Sequence, residues 1–530
     1  MSPPAPPEPR AASNKWIVAL AVTFGTLMGA IDASIVNVAL PHIRGGLGAT
    51  IEEITWISTA YLIAMVIVMP LTAFLGSFFG QKRLYMTSLM LFVAGSALCG
   101  SARSLTTLTV FRVLQGLGAG ALQPTEQAIL RQTFGQREAG MAMALFAMAV
   151  MVGPAVGPTL GGWITDNYSW PWIFYINLPV GALGLLMVWR FVQEPEDIRA
   201  ANRARAEAQR GHMDWTGIAL LAVTLGSLQY FLEEGERRLW FESPVIQATF
   251  AVMLVAFAAF LIRELTAPVP AVNLRLFRER NFVAGTLVGG VMFAMLMSSM
   301  FLLPLFMQEL LGFSATQSGL TLMPRTLIMI ATTPIVGRLY NRVSPAVFIA
   351  LGVLLVAYGS WDLSRMTLAT SSTGIVAALL ATGVGFACLF VPLATVALAN
   401  IPRALLTDAT GLNSVVRQVG GSIGLTTFAV LLTRYGAQSQ AGLVHHVTPL
   451  RPEVVARVAL LQQQLGHGLG ARGAEPGAFG LLTRIVVGQA TVLAYDKVFL
   501  LQAIAFVAVL PLVFLLRRGG GDAPAPAARE

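Results

Sequence analysis

An aspartate lies inside the first long apolar run of the chain, where a membrane-spanning helix is expected. Asp32 falls within the stretch 31–41, between apolar neighbours on both sides. A carboxylate at membrane depth is costly and persists where it is paired, lines a water-filled cavity or carries protons. Asp32 is therefore a candidate for proton exchange across the membrane. The alternative is a structural carboxylate that is permanently hydrogen-bonded to Asn37 or to a neighbouring helix.

Two polar residues share one side of the fourth apolar run. Arg112 and Gln115 are three residues apart, a spacing that places both on one face of a helix. Because arginine keeps its charge in proteins, Arg112 must face a polar cavity, where it would influence proton binding at Asp32. The alternative is an arginine that bonds backbone carbonyls for structural reasons.

A second carboxylate follows on the same run. Glu126 is predicted near the end of this helix, with Arg131 close by in the sequence. That position favours a solvated charge at the membrane surface, although Glu126 is kept as a secondary acidic candidate. In the second half of the chain, Glu309 and Arg325 are expected to pair structurally.

The fifth apolar run repeats glycine every fourth residue and has prolines between the glycines. Glycines at this interval form a groove for close helix packing, and prolines within a helix bend it. A plain packing motif is the alternative, but the interleaved prolines make the string more specific. Its residues are Gly153, Pro154, Gly157, Pro158, Gly161 and Gly162.

The composition defines the class of protein. Of 530 residues, 55% are hydrophobic and 12% are charged, and apolar runs long enough to cross a bilayer recur throughout. This pattern predicts an all-α polytopic membrane protein. The net charge of +9 does not indicate a nucleic-acid partner, since the basic residues are scattered singly. No histidine or cysteine grouping indicates a metal site or a catalytic centre, and no lysine follows a glycine as in an ATP-binding loop.

The apolar runs predict fourteen helices in two related halves. We expect a tail at 1–14, a six-helix bundle at 15–195, and a linker with two extra helices at 196–265. A second six-helix bundle spans 266–516 and includes an external loop at 434–495, before a tail at 517–530. Arginine and lysine concentrate on the side of the N-terminus, which predicts that both termini are cytoplasmic. Such internal repeats are typical of secondary transporters, which expose a central site alternately to each side.

With these strings in hand, the chain resembles the major facilitator superfamily, and specifically its fourteen-helix drug:proton antiporters of the EmrB/QacA type. The resemblance rests on the strings at 31–41, 112–116, 153–162 and 172–181. It implies Asp32, Arg112 and Gln115 in proton coupling, and the 153–162 string in preventing leak. The external segment at 434–495 is more similar to EmrB than to QacA.

The resemblance also implies a cytoplasmic gating loop in each half. The candidates are Gly80, Lys82 and Arg83 in the first half, and Gly337 and Arg342 in the second. The first loop departs from the family pattern at Ala73, Ser77 and Phe78, so its charge latch is incomplete. A substrate pocket is expected among polar, aromatic and methionine side chains, although ordinary core filling is the alternative for the methionine-rich run. Its candidates are Asn37, Trp56, Tyr61, Asn177, Met295 and Phe301.

These observations predict a proton-driven exporter of lipophilic, often cationic compounds in a bacterial inner membrane. The proton-motive force would drive it without a cofactor, and its partners would be amphipathic substrates and the lipid bilayer. As in EmrB-like proteins, a periplasmic adaptor and an outer-membrane channel are further expected partners. The alternatives are a dedicated exporter of one endogenous metabolite or siderophore, and a non-transporting sensor or scaffold.

Overall fold

The described part of the chain is built from helices. The computed structural model describes residues 14–209, 214–267 and 270–513, so the predicted tails at 1–13 and 517–530 lie outside the described residues. The α-helices are α1 (Lys15–Leu47), α2 (Ile51–Ile54), α3 (Trp56–Phe79), α4 (Gln81–Ser101), α5 (Leu105–Gly120), α6 (Leu122–Phe134), α7 (Ala139–Asn167), α8 (Trp172–Tyr175), α9 (Asn177–Phe191), α10 (Glu196–Gln209), α11 (Trp215–Glu234), α12 (Pro244–Thr266), α13 (Arg280–Glu309), α14 (Ala315–Leu339), α15 (Pro345–Leu363), α16 (Ser372–Ala397), α17 (Leu406–Val444) and α18 (Pro452–Val513).

Fourteen segments of the described chain are long and apolar enough to cross a membrane, as the sequence predicts. Two of them are interrupted helices: the fourth span comprises α5 and α6, and the sixth comprises α8 and α9. The short helix α2 and the polar helix α10 do not span. The predicted all-helical architecture with fourteen membrane helices is confirmed.

The depth of Arg112 is set by where the fourth span begins. Ser104 and Thr107 form a reciprocal capping pair at the start of α5, and this pair satisfies backbone N–H groups that the first turn leaves free. Arg112 follows seven residues after Leu105, so its side chain lies two helical turns inside the bundle. The cap therefore fixes the position of a buried charge.

Glycine contacts show that the two halves repeat the same packing. In α7, Gly153 lies against the backbone of Ala30 in α1; in α17, Gly424 lies against the backbone of Ala294 in α13. A second glycine near the start of each of these two helices contacts the opposite half of the protein. Gly140 of α7 approaches α14 at Gly337, and Gly411 of α17 approaches α3 at Met69. The equal separation of the two glycine pairs in the sequence thus reflects equivalent packing positions.

The two extra helices pack beside the boundary between the halves. α11 and α12 lie against each other, and α11 contacts both α3 of the first half and α17 of the second. Gln229 of α11 donates to Ser422 Oγ at 3.0 Å, and Thr426 Oγ1 donates to the carbonyl of Leu232 at 3.1 Å. α11 is therefore attached by hydrogen bonds to the second half while it packs on the first.

The segment predicted as an external loop is helical. Residues 434–444 continue α17, and residues 452–495 form the first two thirds of α18, with a short connection between them. This stretch was predicted as a loop because it is less apolar than the spans. Low hydropathy does not prevent helix formation, and two spanning helices extend through it past their apolar sections.

Candidate proton-coupling site

Asp32 and Arg112 form a fully buried ion pair. Arg112 Nη1 donates to Asp32 Oδ2 at 2.5 Å, and the two side chains are 1% and 0% exposed. The pair joins α1 to α5 at membrane depth. A buried ion pair is costly to form unless hydrogen bonds satisfy the remaining polar atoms, and removing one partner leaves an uncompensated charge. The other hydrogen bonds of Asp32 and Arg112 therefore determine whether this buried pair is stable.

Two amides complete the surroundings of the Asp32 carboxylate. Gln115 Nε2 donates to Asp32 Oδ1 at 2.8 Å, and Asn177 Nδ2 donates to the same oxygen at 3.1 Å. Gln115 Oε1 in turn accepts from Arg112 Nη1 at 2.8 Å. Both amides are buried. The structure thus brings together the three residues predicted for proton coupling, Asp32, Arg112 and Gln115, and adds Asn177 of α9, which was predicted for the substrate pocket.

A second set of contacts holds the arginine in place. Arg112 Nε donates to the carbonyl of Ile57 in α3 at 3.2 Å, and its guanidinium carbon lies 4.0 Å from the ring centroid of Tyr61. A cation over an aromatic face is favourable, more so away from water. Tyr61, predicted as a pocket residue, is therefore a neighbour of the arginine. Protonating Asp32 would weaken a charge-assisted contact that links α1, α3 and α5.

Ser96 was missed by the sequence analysis and connects this site to the sixth span. Asn177 Nδ2 donates to Ser96 Oγ at 3.0 Å, and Ser96 donates to the carbonyl of Phe174 at 2.9 Å. A serine in an apolar run is a weak signal, since its hydroxyl usually bonds its own helix. Here the side chain instead orients Asn177 toward the carboxylate.

Asn37 is not a partner of Asp32. It is exposed, and its Oδ1 accepts from Ser58 Oγ at 3.1 Å. The alternative in which Asn37 holds the carboxylate is therefore wrong for this conformation, in which the hydrogen bonds to Asp32 come instead from the neighbouring helices α5 and α9. Because α1 has 3.6 residues per turn, positions 32 and 37 point to different sides.

The placement predicted for Glu126 is wrong. Its side chain is fully buried rather than solvated at the membrane surface, and Thr23 Oγ1 donates to its Oε1 at 3.3 Å. Arg131 does not neutralise it, because that guanidinium bonds the carbonyl of Gly135 and the side chain of Gln136. The fourth span runs through α6 to Phe134, beyond the predicted end at 128, so Glu126 lies deeper than expected.

The glycine motif packs directly on the helix that carries Asp32. Added Cβ atoms would meet backbone atoms of Ala30 at Gly153, the side chain of Ser34 at Gly157, and Ile35 at Gly161, all within 2.3–2.7 Å at the nearest atom. Gly162 faces open space, and Pro158 is half-buried. The side chain of Pro154 lies outside the described residues. Three of the four motif glycines thus allow α7 to lie close against α1 on both sides of Asp32.

The first gating loop is held by a residue from another segment. Gly80 has φ of +78°, a conformation that favours glycine, and the backbone N–H of Gln81 donates to Glu194 Oε1 at 3.2 Å. Lys82 Nζ donates to the carbonyl of Trp189 at 2.7 Å, whereas Arg83 is exposed. Glu194, which follows α9, thus binds the backbone at the start of α4. In the second loop Gly337 is buried against α7 and Arg342 is exposed.

The other predicted pocket residues do not gather at the ion pair. Trp56 is half-buried and its ring centroid lies 5.6 Å from that of Tyr230 in α11. Met295 is buried, and its carbonyl accepts from Gln502 at 2.7 Å. Phe301 is 47% exposed. These side chains stay candidates for substrate contact, and Asn177 belongs instead with Asp32.

Contacts between the halves cluster at the end of the bundle where the N-terminus lies. Gln81 Nε2 donates to Thr407 Oγ1 at 2.5 Å, and Arg403 donates to the carbonyl of Gln132 at 3.3 Å. Asn341 donates to the carbonyl of Arg137. Arg205 of α10 also pairs with Asp408 of α17 at 2.8 Å. These polar contacts hold the two halves together at this end.

Replacing Asp408 by asparagine together with Arg205 by glutamine is expected to open this end of the bundle. The change removes an ion pair between α10, which packs on α3, and α17. Spin labels are placed at Phe79 and Val347, both exposed near this end. The double variant should show a larger share of long label-to-label distances than wild type. Lys15→Gln, which breaks a pair with Glu138 inside the first half, is the control. An unchanged distance distribution would show that the pair does not contribute to closure.

Comparison with known proteins agrees with this geometry. Residues 22–425 match the family model of the Major Facilitator Superfamily. The multidrug export protein EmrB of Haemophilus influenzae is 32% identical over 504 residues, covering 94% of this chain and 95% of the relative. The fatty acid resistance protein FarB of Neisseria gonorrhoeae is 31% identical over 520 residues, covering 97% and 99%.

The comparison with solved structures concerns the fold. The solved structure of the proton:xylose symporter XylE, bound to 6-bromo-6-deoxy-D-glucose, matches with a TM-score of 0.59 at 13% identity, covering 94% of this chain and 96% of that one. At that identity the likeness concerns the fold alone. Together with the relatives that match almost end to end, these findings identify a multi-pass membrane transporter. The chain belongs to the Major Facilitator Superfamily and, within it, to the EmrB family of transporters.

Proposed function

We propose that this protein couples the inward movement of protons to the export of lipophilic compounds, with Asp32 as the group that binds and releases the proton. The observation that carries the proposal is the sealed cluster of Asp32, Arg112, Gln115 and Asn177. Intramembrane acids are usually functional, and this one joins three helices of the first bundle, the half that moves against the second in alternating access. No cofactor is required, since the proton-motive force supplies the energy.

Protonation changes how strongly the cluster binds its helices together. With Asp32 ionised, Arg112 and two amides donate to it, and such charge-assisted bonds are about twice as strong as neutral ones. A proton on the carboxyl removes that charge and weakens the link of α1 to α5. Because α7 packs on α1 through the glycine motif, a shift of α1 is transmitted to α7 and the opposite half. The proton thereby biases the opening of the bundle.

The energy available is sufficient for export. One proton that moves down 100 mV releases about 2.3 kcal/mol, which corresponds to a concentration ratio of about 50 for the exported compound. In this conformation the charge of Asp32 is already balanced by Arg112. A cationic substrate therefore competes for the carboxylate only after that pair loosens, and proton and cation are then alternative partners of one acid.

The substrates we propose are lipophilic and amphipathic compounds of more than one structure, often cationic. Support comes from relatives that are named as multidrug export proteins, a fatty acid resistance protein and a colistin resistance protein. A dedicated exporter of one metabolite with the same fold would protect cells against few compounds. A growth test against many unrelated toxic cations distinguishes the two.

We also propose that the protein lies in a bacterial inner membrane with both termini in the cytoplasm. The helical extensions of α17 and α18 would then project from the opposite side. These extensions and the connection between them carry exposed apolar side chains, among them Val455 and Leu450. These features suit contact with a periplasmic adaptor that leads to an outer-membrane channel, and co-purification with such an adaptor would test it.

Transport by the purified protein tests the proposal. Reconstituted vesicles with an acidic lumen should accumulate lipophilic dyes, and their lumen should become more alkaline when substrate is added, because protons leave as substrate enters. A sensor or scaffold would show no substrate-dependent proton flux. Absence of both signals across a panel of neutral, cationic and anionic compounds would refute the exporter.

Glu126 is the second group that we expect to take part in proton movement. Its Oε1 accepts one hydrogen bond from Thr23, its Oε2 has no partner, and no cation pairs with it among the described residues. An ionised carboxylate is very costly in such surroundings, so the neutral acid fits this conformation. Thr23 precedes Asp32 by nine residues on α1, or about 13.5 Å along the helix.

Replacing Glu126 by glutamine should leave the amount of folded protein unchanged and slow pH-driven uptake severalfold. Glutamine resembles the protonated acid in size and polarity but cannot release a proton. Uptake rates in vesicles at several external pH values measure the effect, with Glu242→Gln, an exposed acid, as the control. Wild-type rates at every pH would assign Glu126 a purely structural role.

A further inference from the structure

Two buried arginines in the second half have no acidic partner. Arg325 and Arg417 are 2% and 5% exposed, and neither belongs to an ion pair of the described residues. The sequence analysis expected Arg325 to pair with Glu309, which is wrong: its Nη1 donates to Ser299 Oγ at 3.2 Å. Burying an unpaired charge costs free energy that a stability role alone does not explain. The first half, by contrast, balances Arg112 with Asp32.

Arg417 lies at the boundary between the two halves. Its guanidinium carbon is 5.1 Å from the ring centroid of Phe146 in α7 and 5.4 Å from that of Phe390 in α16. The two ring centroids are 6.0 Å apart. One ring thus comes from each half, and both cover the same cation. Movement of the halves against each other would uncover the guanidinium toward the central path of a transported solute.

The arginine also has unused hydrogen-bonding capacity beside a small crevice of about 10 Å³. Its Nη2 donates only to Ser414 Oγ, at 3.4 Å, and its Nε has no acceptor. It lines a narrow crevice with Gly289, Met292 and Asn413. A Cβ at Gly289 would meet nothing within 4 Å, so the crevice has room there. An apolar wall with an amide and a free guanidinium suits an apolar molecule that carries one anionic group.

Arg325 adds to the positive potential at this place. Its guanidinium carbon is 5.0 Å from the ring centroid of Phe386, which precedes Phe390 by one turn of α16. Two uncompensated cations therefore lie along one strip of α16. In surroundings of low dielectric constant their combined field favours an anion and opposes a cation.

We infer that the crevice at Arg417 is a substrate subsite that binds the carboxylate of lipophilic organic acids. The inference rests on the proposed export function and specifies one class of substrate for it. The guanidinium binds the carboxylate, while Phe146, Phe390 and Met292 contact the apolar body. Proton exchange at Asp32 in the first half and anion binding at Arg417 in the second half are then separate tasks of separate residues.

A matched ligand series tests this subsite without any proton gradient. The full-length protein in lipid nanodiscs is titrated with naphthylacetate, neutral naphthylacetamide and cationic naphthylethylammonium. Wild type should bind the carboxylate at least about tenfold more tightly than the amide, and the ammonium most weakly, as expected for a charge-assisted hydrogen bond. Arg417→Gln should abolish the preference. Arg417→Lys should keep part of it, because charge remains but the forked geometry is lost.

Several outcomes would overturn the inference. They are equal binding of the three ligands by wild type, tighter binding of the ammonium, no binding of naphthylacetate, or an unchanged preference in Arg417→Gln. Arg365→Gln, at an exposed arginine, is the control. If Arg417→Gln does not fold, the binding preferences of wild type and of Arg417→Lys among the three ligands test the inference. In wild type, pH-driven uptake of a neutral lipophilic dye tests the export function separately, and its absence would refute the exporter, whatever the binding result.

Discussion

Replacement of Asp32 by asparagine is expected to abolish pH-driven accumulation of substrate. In wild type each proton provides about 2.3 kcal/mol at 100 mV, which sustains a substrate concentration ratio across the membrane of about 50. The variant should reach a concentration ratio near one. The amide still accepts and donates hydrogen bonds, but it cannot exchange a proton. Dye uptake into everted vesicles, with substrate inside and outside measured at steady state, gives the ratio directly.

The loss of charge also leaves Arg112 unpaired, so folding must be controlled. Removing one partner of a buried pair costs about 3–5 kcal/mol, and Asp32→Asn should therefore lower the thermal unfolding midpoint. The double variant Asp32→Asn with Arg112→Gln removes both charges and should recover much of that stability while transport stays uncoupled. Asp166→Asn, at an exposed aspartate, should behave as wild type. Full pH-driven accumulation by Asp32→Asn would disprove proton coupling through this residue.

The members of the polar cluster were predictable from sequence because each is expensive at membrane depth. Asp32, Arg112 and Gln115 occur in apolar runs where polar groups need partners, and the string that contains Asn177 carried a family resemblance. Their mutual distances were not predictable. They depend on how α1, α5 and α9 pack, and on Ser96, whose hydroxyl has no distinctive sequence signal. For the same reason the role of Tyr61 as a support for Arg112 emerged only from the structure.

Positions near the ends of helices were predicted less well. Apolar content located the fourteen spans. It did not locate their ends, because a helix can continue through polar residues, either outside the membrane or within a span. Glu126 looked interfacial because α6 is less apolar than α5, and its burial comes from contacts with neighbouring helices. Residues 434–495 looked like a loop because hydropathy reports membrane insertion rather than helix formation. The contacts of Gln81 and Glu194 at the first gating loop join distant segments, and no local pattern indicates them.

Replacement of Gly153 by alanine is expected to disrupt both folding and transport. The added Cβ would lie 2.3 Å from the carbonyl carbon of Ala30 and 2.4 Å from its Cβ. These are atoms of the α1 backbone and its first side-chain carbon, so no flexible group can move aside. Overpacking in a close-packed interior costs about 1–3 kcal/mol. The clash could be relieved only by a shift of α1 away from α7. Because Asp32 follows Ala30 by two residues in α1, that shift would also displace Asp32.

Gly162→Ala provides a matched control in the same motif and helix. Nothing lies within 4 Å of its added Cβ, so the variant should keep transport and gain up to about 1 kcal/mol from helix propensity. Thermal unfolding midpoints and uptake rates of the two variants measure the contrast. The same chemical change then has opposite effects nine residues apart, because one glycine lies against α1 and the other does not. If both variants were equally stable and active, close packing of α7 on α1 would not be what this motif provides, and the transmission of Asp32 protonation to the opposite half would need another route.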